Sequence, residues 1–256
     1  MSSQQAPALD RVQILLLALF GLFSAFFIVG DIIGGKLFEF SIFGLVPGHL
    51  GLGEGKFVAT VGILAFPLTF LLTDIINEYF GKRVVRLFTL MSISVMLLLQ
   101  LVVQASINAT TVSFTPGVSA EQFGAAYSLA LGHSWMIVVA STTAFAIGQL
   151  LDVKVFGALR RLTGGRMLWL RAQGSTLVSQ AIDTVVVIGL AFMILPMLTG
   201  GNAWSMSNFL TVCTTNYLIK FGIAVASTPI LYIVHLAVEQ WLGHDTAAKL
   251  KSAAHE

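Results

Sequence analysis

Residues 176–198, TLVSQAIDTVVVIGLAFMILPML, run for 23 positions with a single ionisable side chain, Asp183. At a rise of about 1.5 Å per residue a helix of this length reaches ~34 Å, enough to cross the ~30 Å hydrocarbon core of a bilayer. Its second half, from Val185, is uninterruptedly apolar, whereas a helix on the surface of a soluble domain keeps one polar face. Outward from this stretch the same pattern recurs at Val12–Ile33, Phe57–Tyr79, Val84–Ala105, Trp135–Leu151 and Phe209–Leu236. The chain is accordingly 56% hydrophobic and only 10% charged, against roughly 25% charged in a soluble domain.

This pattern predicts an all-α integral membrane protein with six transmembrane helices. Residues 1–256 form one polytopic membrane domain with polar tails at about 1–11 and 243–256. The run after Arg11 is longer than the apolar region of a signal peptide, so it is expected to be a retained first helix. Glycine-rich residues 34–56, with an alternating piece at Lys36–Ile42, are expected to form a short hairpin or a re-entrant loop. Ser119–Leu131 has the pattern of a short amphipathic helix outside the fourth span.

The basic residues set the orientation. With a cytoplasmic N-terminus, the inner loops hold Arg11, Lys82, Arg83, Arg86, Lys154, Arg160, Arg161, Arg166, Arg171, Lys249 and Lys251, eleven of the fourteen Lys and Arg. The outer loops hold Lys36 and Lys56, and Lys220 lies within a span. Such asymmetry matches the positive-inside rule and places both termini in the cytoplasm. Grouped this way, and with a net charge of only +2, the cations point to membrane orientation, not to nucleic acid.

Several functions are excluded by what is missing. The lone Cys213 permits no internal disulfide and no cysteine metal cluster. No phosphate-binding glycine loop, H-E-x-x-H, G-x-S-x-G or paired-histidine spacing occurs, so the residues call for no cofactor and argue against an enzyme. Energy for transport would come from a gradient or a partner.

Polar groups inside the spans carry the functional reading, because an ionised residue at mid-membrane costs at least ~2.5–3.5 kcal/mol. Asp183 and Lys220 lie on consecutive antiparallel spans at depths that differ by only ~5 Å, so they can pair. Gln180 shares a helix face with Asp183, and Asn216 with Lys220. These four define a substrate pocket or, on the plainer reading, a structural ion pair. Thr69, Thr73 and Asn77 form a polar stripe on the second span beside Asp74 and Glu78, and Pro67 is expected to open that helix locally. Glu78 is expected to meet Lys82, Arg83 or Arg86, while Asp74 is left between a gate pair and a substrate ligand. Asp31 and Lys36 read as an interfacial pair, and Gln149 and Asp152 as part of an inner salt-bridge cluster. The small residues Ala18, Gly21 and Ala25 favour a close helix contact, within the chain or in a homodimer or with a coupling subunit. Trp135, Trp169, Trp204 and Trp241 fall where an aromatic belt is expected.

Two stretches resemble one family. Residues 66–81, FPLTFLLTDIINEYFG, and 168–184, LWLRAQGSTLVSQAIDT, are similar to the two signatures of the queuosine precursor transporter family, also called the vitamin uptake or YhhQ type. Ala172 and Gln173 stand where that family carries asparagines. The resemblance implies a bacterial inner-membrane importer of 7-cyano- or 7-aminomethyl-7-deazaguanine. It also implies a fold like the substrate-binding subunits of energy-coupling-factor transporters. Such a subunit, serving another vitamin-like solute, is the alternative function. A deazaguanine edge offers two parallel donors that a carboxylate, Asp183 or Asp74, can accept together. Its carbonyl needs a donor from Gln180, Asn216 or Lys220. The flat ring needs an aromatic slot, for which Phe27, Phe66, Phe70, Tyr217 and Phe221 are candidates.

Overall fold

The computed structural model describes residues 9–41, 44, 46–47, 56–132, 134–162 and 168–255. Helix α1 (Arg11–Ile33) starts at a reciprocal cap. Asp10 accepts from the Gln13 backbone N–H at 2.7 Å, and the Gln13 side chain accepts from the Asp10 N–H at 3.1 Å. Strands β1 (Leu37–Phe40) and β2 (Phe57–Thr60) then pair antiparallel; only the first falls within residues 34–56, where a hairpin or a re-entrant loop was expected. A 3-10 turn (Val61–Leu64) leads into α2 (Phe66–Ile107).

Two expectations for this region need correction. Phe57–Thr60 is a strand, not the start of the second span, because its backbone pairs with Leu37–Phe40. Pro67 does not open the helix. It sits in the first turn, where its missing N–H has no intrahelical acceptor to lose.

Within α2 the break is instead at Gly81, whose φ of 80° and ψ of 168° separate the helical segments on either side. A methyl group there would lie 2.8 Å from the Ala254 carbonyl oxygen, so glycine meets both the backbone angle and the close packing. Helix α3 (Ala120–Leu131) is capped reciprocally by Ser119 and Gln122, as the amphipathic pattern predicted. Helix α4 (Ser134–Leu162) packs along α5 (Leu168–Gly189).

Helix α5 continues through one π-helical turn (Leu190–Ile194) into α6 (Leu195–Leu198). Pro196 has no N–H to return to the carbonyl four residues earlier, that of Phe192. The Trp204 N–H occupies that carbonyl at 3.0 Å, and the two rings stack 4.2 Å apart. Helix α7 (Met206–Leu242) and the short α8 (His244–His255) complete the chain.

Among the described residues, four stretches are long and apolar enough to cross a membrane: Arg11–Ile33, Pro67–Ile107, Ala120–Gly148 and Val178–Leu198. Apart from the hairpin, this is an all-helical, multi-pass membrane protein. Its largest core cluster joins α1, α2, α7 and α8 through Leu19, Phe23, Ile75, Ile76, Tyr79 and Leu242. Large apolar side chains such as Leu98, Leu101 and Val102 are more than half exposed, as lipid-facing positions are.

Within the chain, and among the described residues, the close helix approach is not at the small residues of α1. Ala18, Gly21 and Ala25 are exposed, and a methyl group at Gly21 would touch nothing within 4 Å. The tight contact lies further along α1. A methyl group at Gly62 would stand 2.6 Å from the Gly30 carbonyl oxygen and 3.2 Å from the Gly34 Cα.

Candidate functional site

The packing of Gly62 on α1 draws the hairpin towards α7. The Val61 N–H donates to the Lys36 carbonyl at 2.7 Å, and Thr60 Oγ1 donates to Asn216 Oδ1 at 3.1 Å. Asn216 is 3% exposed, and its Nδ2 donates to the Val212 carbonyl at 2.8 Å. Both ends of its amide are therefore occupied.

One turn along α7, Lys220 Nζ donates to Asp183 Oδ2 at 2.8 Å, joining α7 to α5 as the matching depths predicted. The lysine side chain is 14% exposed and the aspartate 33%. Gln180, one turn before Asp183, has a fully buried Oε1 with no hydrogen-bond partner among the described residues. An orphaned buried acceptor next to an ion pair is a place where a donor is wanted.

Asp31 bonds across to α4, which the sequence reading did not anticipate: its Oδ2 accepts from Ser141 Oγ at 2.7 Å. Lys36, its expected partner, is exposed instead. The signal in the sequence was the carboxylate itself, one residue after Gly30 and three before Gly34. Ser141 and Thr60 carried no such signal.

The polar stripe of α2 does not join this group. Thr73 Oγ1 donates to the Thr69 carbonyl at 2.7 Å, and Thr69 Oγ1 to the Ala65 carbonyl at 3.4 Å, so both hydroxyls turn back on their own helix. Asp74 and Asn77 are half-buried, with no hydrogen bond or ion pair among the described residues. Tyr79 Oη bonds the His235 carbonyl and ring, which aligns α2 with α7. Asp74 is five residues from Tyr79, whereas Lys220 is fifteen from His235. Helical rise therefore places Asp74 about 15 Å nearer the Tyr79 end than Lys220. The expected site divides into two groups, the Asp183–Lys220 pair and, nearer the Tyr79 end, Asp74. The side chains of Phe66, Phe70, Gln149 and Asp152 lie outside the described residues. Phe27 packs into the main core, and Phe221 is 46% exposed.

A groove beside the hairpin does not coincide with these polar groups. It is an open groove of about 460 Å³ between Phe40 and Phe57 of the hairpin and α7, with Thr215, Leu218, Ile219 and Gly222 in its wall. Asn216 and Lys220 do not line it. With one hydroxyl and otherwise apolar walls, it offers little to a polar solute. The candidate site is therefore the Asp183–Lys220 group.

At the opposite end of α7, Lys251 of α8 donates to Glu239 Oε1 at 2.6 Å, with Glu78 Oε1 3.7 Å away and the Tyr79 ring centroid at 5.1 Å. The hydrogen bond to Glu239 holds the Lys251 ammonium above its ordinary pKa. Glu78 thus lies beside a lysine of α8, a partner that the local sequence did not suggest. Among the described residues, no group of three His, Cys, Asp or Glu could hold a metal ion.

Comparison with known proteins places this arrangement in a family. Residues 60–234 match the family model described as "Putative vitamin uptake transporter". The chain is 33% identical over 175 residues to the "Probable queuosine precursor transporter" of Bacillus subtilis, covering 68% of this chain and 70% of that one. It is 30% identical over 169 residues to the "Queuosine precursor transporter" of Escherichia coli, covering 66% and 69%. A third relative, from Haemophilus influenzae, is 30% identical over 141 residues, covering 54% and 53%. No solved structure matches the chain. With the family model spanning more than half of its length, the chain belongs to the vitamin uptake, or queuosine precursor transporter, family.

Proposed function

We propose that this protein imports queuosine precursors, 7-cyano- or 7-aminomethyl-7-deazaguanine, across the bacterial inner membrane as a secondary active transporter. The solute site is the group formed by Asp183, Lys220, Gln180 and Asn216. The observation that carries this reading is the buried Gln180 Oε1 without a donor, one turn from the Asp183–Lys220 pair. A deazaguanine supplies what is wanted there. Its N1–H and exocyclic amine are donors for Asp183 and Gln180, and its carbonyl accepts from the Lys220 ammonium. A few convergent polar groups within apolar walls are the usual make-up of a small-molecule site. Asp74 and Asn77, deeper along α2, form a second station on the way to the cytoplasm, with Thr73, Phe66 and Phe70 on the same helix.

In this reading the membrane plan has six spans: α1, the two segments of α2 on either side of Gly81, α4, α5 with α6, and α7. Both termini are cytoplasmic, in keeping with the distribution of Lys and Arg. Alternating access moves the site between the two faces.

Calorimetric binding of a 7-deazaguanine panel to the purified protein, with guanine and a vitamin as comparators, tests the reading. Saturable deazaguanine binding that is lost in Asp183→Asn is expected. Absence of binding by folded wild-type protein overturns it. Uptake by the purified chain in liposomes without ATP separates a self-sufficient carrier from the subunit of an ATP-driven assembly.

A further inference from the structure

We propose that the groove between the hairpin and α7 binds one phospholipid of the bilayer, which wedges the hairpin against the candidate solute site. Its acyl chain lies along the apolar wall of α7, and its ester and phosphate oxygens meet threonine hydroxyls nearer the Met206 end. The proposal rests on the membrane plan above, in which α7 spans the bilayer.

Two cavities join on one face of α7. The groove of about 460 Å³ runs along the helix from Thr215 to Ala226. A smaller pocket of about 130 Å³, walled by Pro47, Thr211 and Thr214, shares Thr215 with it and lies towards the start of the helix. The α7 positions in both walls recur every three or four residues, so a single helix face lines the two. Between Thr215 and Ala226 the helix rises ~16 Å, about half of a ~30 Å hydrocarbon core. That is the reach of one acyl chain in one leaflet.

The smaller pocket has hydroxyls to spare. Thr69, Thr73, Thr89, Thr143 and Thr184, in other helices, each donate to the carbonyl four residues earlier. Thr211, Thr214 and Thr215 make no hydrogen bond among the described residues, although Thr215 is only 4% exposed. A buried hydroxyl without a partner is costly, above all in a membrane, so this face calls for an acceptor from outside the chain. Phospholipid ester and phosphate oxygens are such acceptors. Thr211 lies only ~8 Å along the helix from Met206, near the level where those oxygens lie.

The surroundings favour a lipid over other occupants. The groove is continuous with the exposed apolar side chains of α7, among them Phe221 and Val225. At Gly222 a methyl group would touch nothing within 4 Å, so the wall is recessed and leaves room for a chain. The exposed Lys56, next to Phe57 in the sequence and loosely paired with Glu39 at 3.9 Å, offers a cation to the phosphate. The hairpin is then held on two sides. Phe40 and Phe57, stacked 5.6 Å apart, pack on the acyl chain, while Thr60 of the same strand donates to Asn216 Oδ1 at 3.1 Å. Emptying the groove removes the packing beside Phe57 and loosens the strand that touches Asn216.

Native mass spectrometry of the intact chain, taken from a bilayer into mild detergent, reads the lipid directly. Wild type is expected to carry one phospholipid per chain. Gly222→Trp, which fills the recess, is expected to lower that fraction at least about tenfold. Gly21→Trp, at an equally open glycine on α1 away from the groove, is expected to keep it. A second readout needs no variant: hydrogen exchange of the Phe57–Thr60 amides in wild type should quicken on delipidation and recover when phosphatidylglycerol is added back.

Four outcomes overturn the proposal: no phospholipid on wild type, detergent or a second copy of the chain in its place, equal retention or equal loss in the two tryptophan variants, or hairpin exchange indifferent to lipid. Neither readout uses the solute. A failure of deazaguanine binding in the calorimetry above removes the transport reading and leaves the lipid site standing.

Discussion

Lys251 donates to Glu239 across 2.6 Å and so ties the C-terminal helix α8 back onto the end of α7. Glu78 of α2 stands 3.7 Å from the same ammonium, and Arg11 Nη1 donates to the Trp241 carbonyl at 2.8 Å. One lysine thus bridges the end of α7 and the part of α2 that precedes its break at Gly81.

Because the folded-state pKa of Lys251 is raised, its contribution to stability is complete below the ordinary lysine value. It is lost as pH climbs through the raised one. Docking of α8 is therefore expected to be pH-independent from neutrality upward until the alkaline range above about 10.5, and then to weaken. Hydrogen exchange of the α8 amides measured across that range checks this. Lys251→Ala should remove the step and lower stability only slightly, since the pair is screened by solvent.

The Asp183–Lys220 pair should behave differently. Removing one partner of a buried pair typically costs ~3–5 kcal/mol because a lone charge is left behind, and the partial exposure of Asp183 reduces that to about 2–3 kcal/mol. Asp183→Leu and Lys220→Met are each expected to lower the unfolding temperature in detergent, and the double variant to lose clearly less than the sum. Additive losses would mean that the two charges are not coupled in the folded protein.

Glycine substitutions separate close contact from lipid-facing surface. Gly62→Ala is expected to be strongly destabilising, since its methyl group would meet backbone atoms that cannot yield, whereas Gly21→Ala should be neutral or slightly stabilising. Gly81→Ala combines a φ of 80° with a 2.8 Å contact to the Ala254 carbonyl and should release α8. Thermal unfolding of the three variants, with protease accessibility of the C-terminus, gives the comparison.

Cutting the link between the hairpin and α7 is a gentler change. Thr60→Val removes the donor to Asn216 Oδ1 and leaves a buried acceptor unpaired, an effect of about 1–3 kcal/mol. The Asp183–Lys220 pair should persist, because no atom of Thr60 takes part in it. Unfolding temperatures of Thr60→Val alone and combined with Lys220→Met should therefore show losses that add.

The membrane character, the short amphipathic helix at 120–131 and the matching depths of Asp183 and Lys220 are all legible in the linear sequence. Each follows from a local regularity: an uninterrupted apolar run, an amphipathic pattern, or a count of residues from a turn at 1.5 Å each. The cations that gather just after Gly81 also lie beside the break that the structure shows in α2. Tertiary structure alone decided which polar groups meet. Phe57–Thr60 has the apolar composition of a helix entrance, but pairing with Leu37–Phe40 makes it a strand. Asp31 turns to Ser141, 110 residues away, and Glu78 lies beside Lys251 and not only near the cations that follow it. Such contacts depend on the rotation of each helix about its axis and on how closely Gly30 and Gly62 let two backbones approach. A residue's own neighbours in the chain do not encode either quantity.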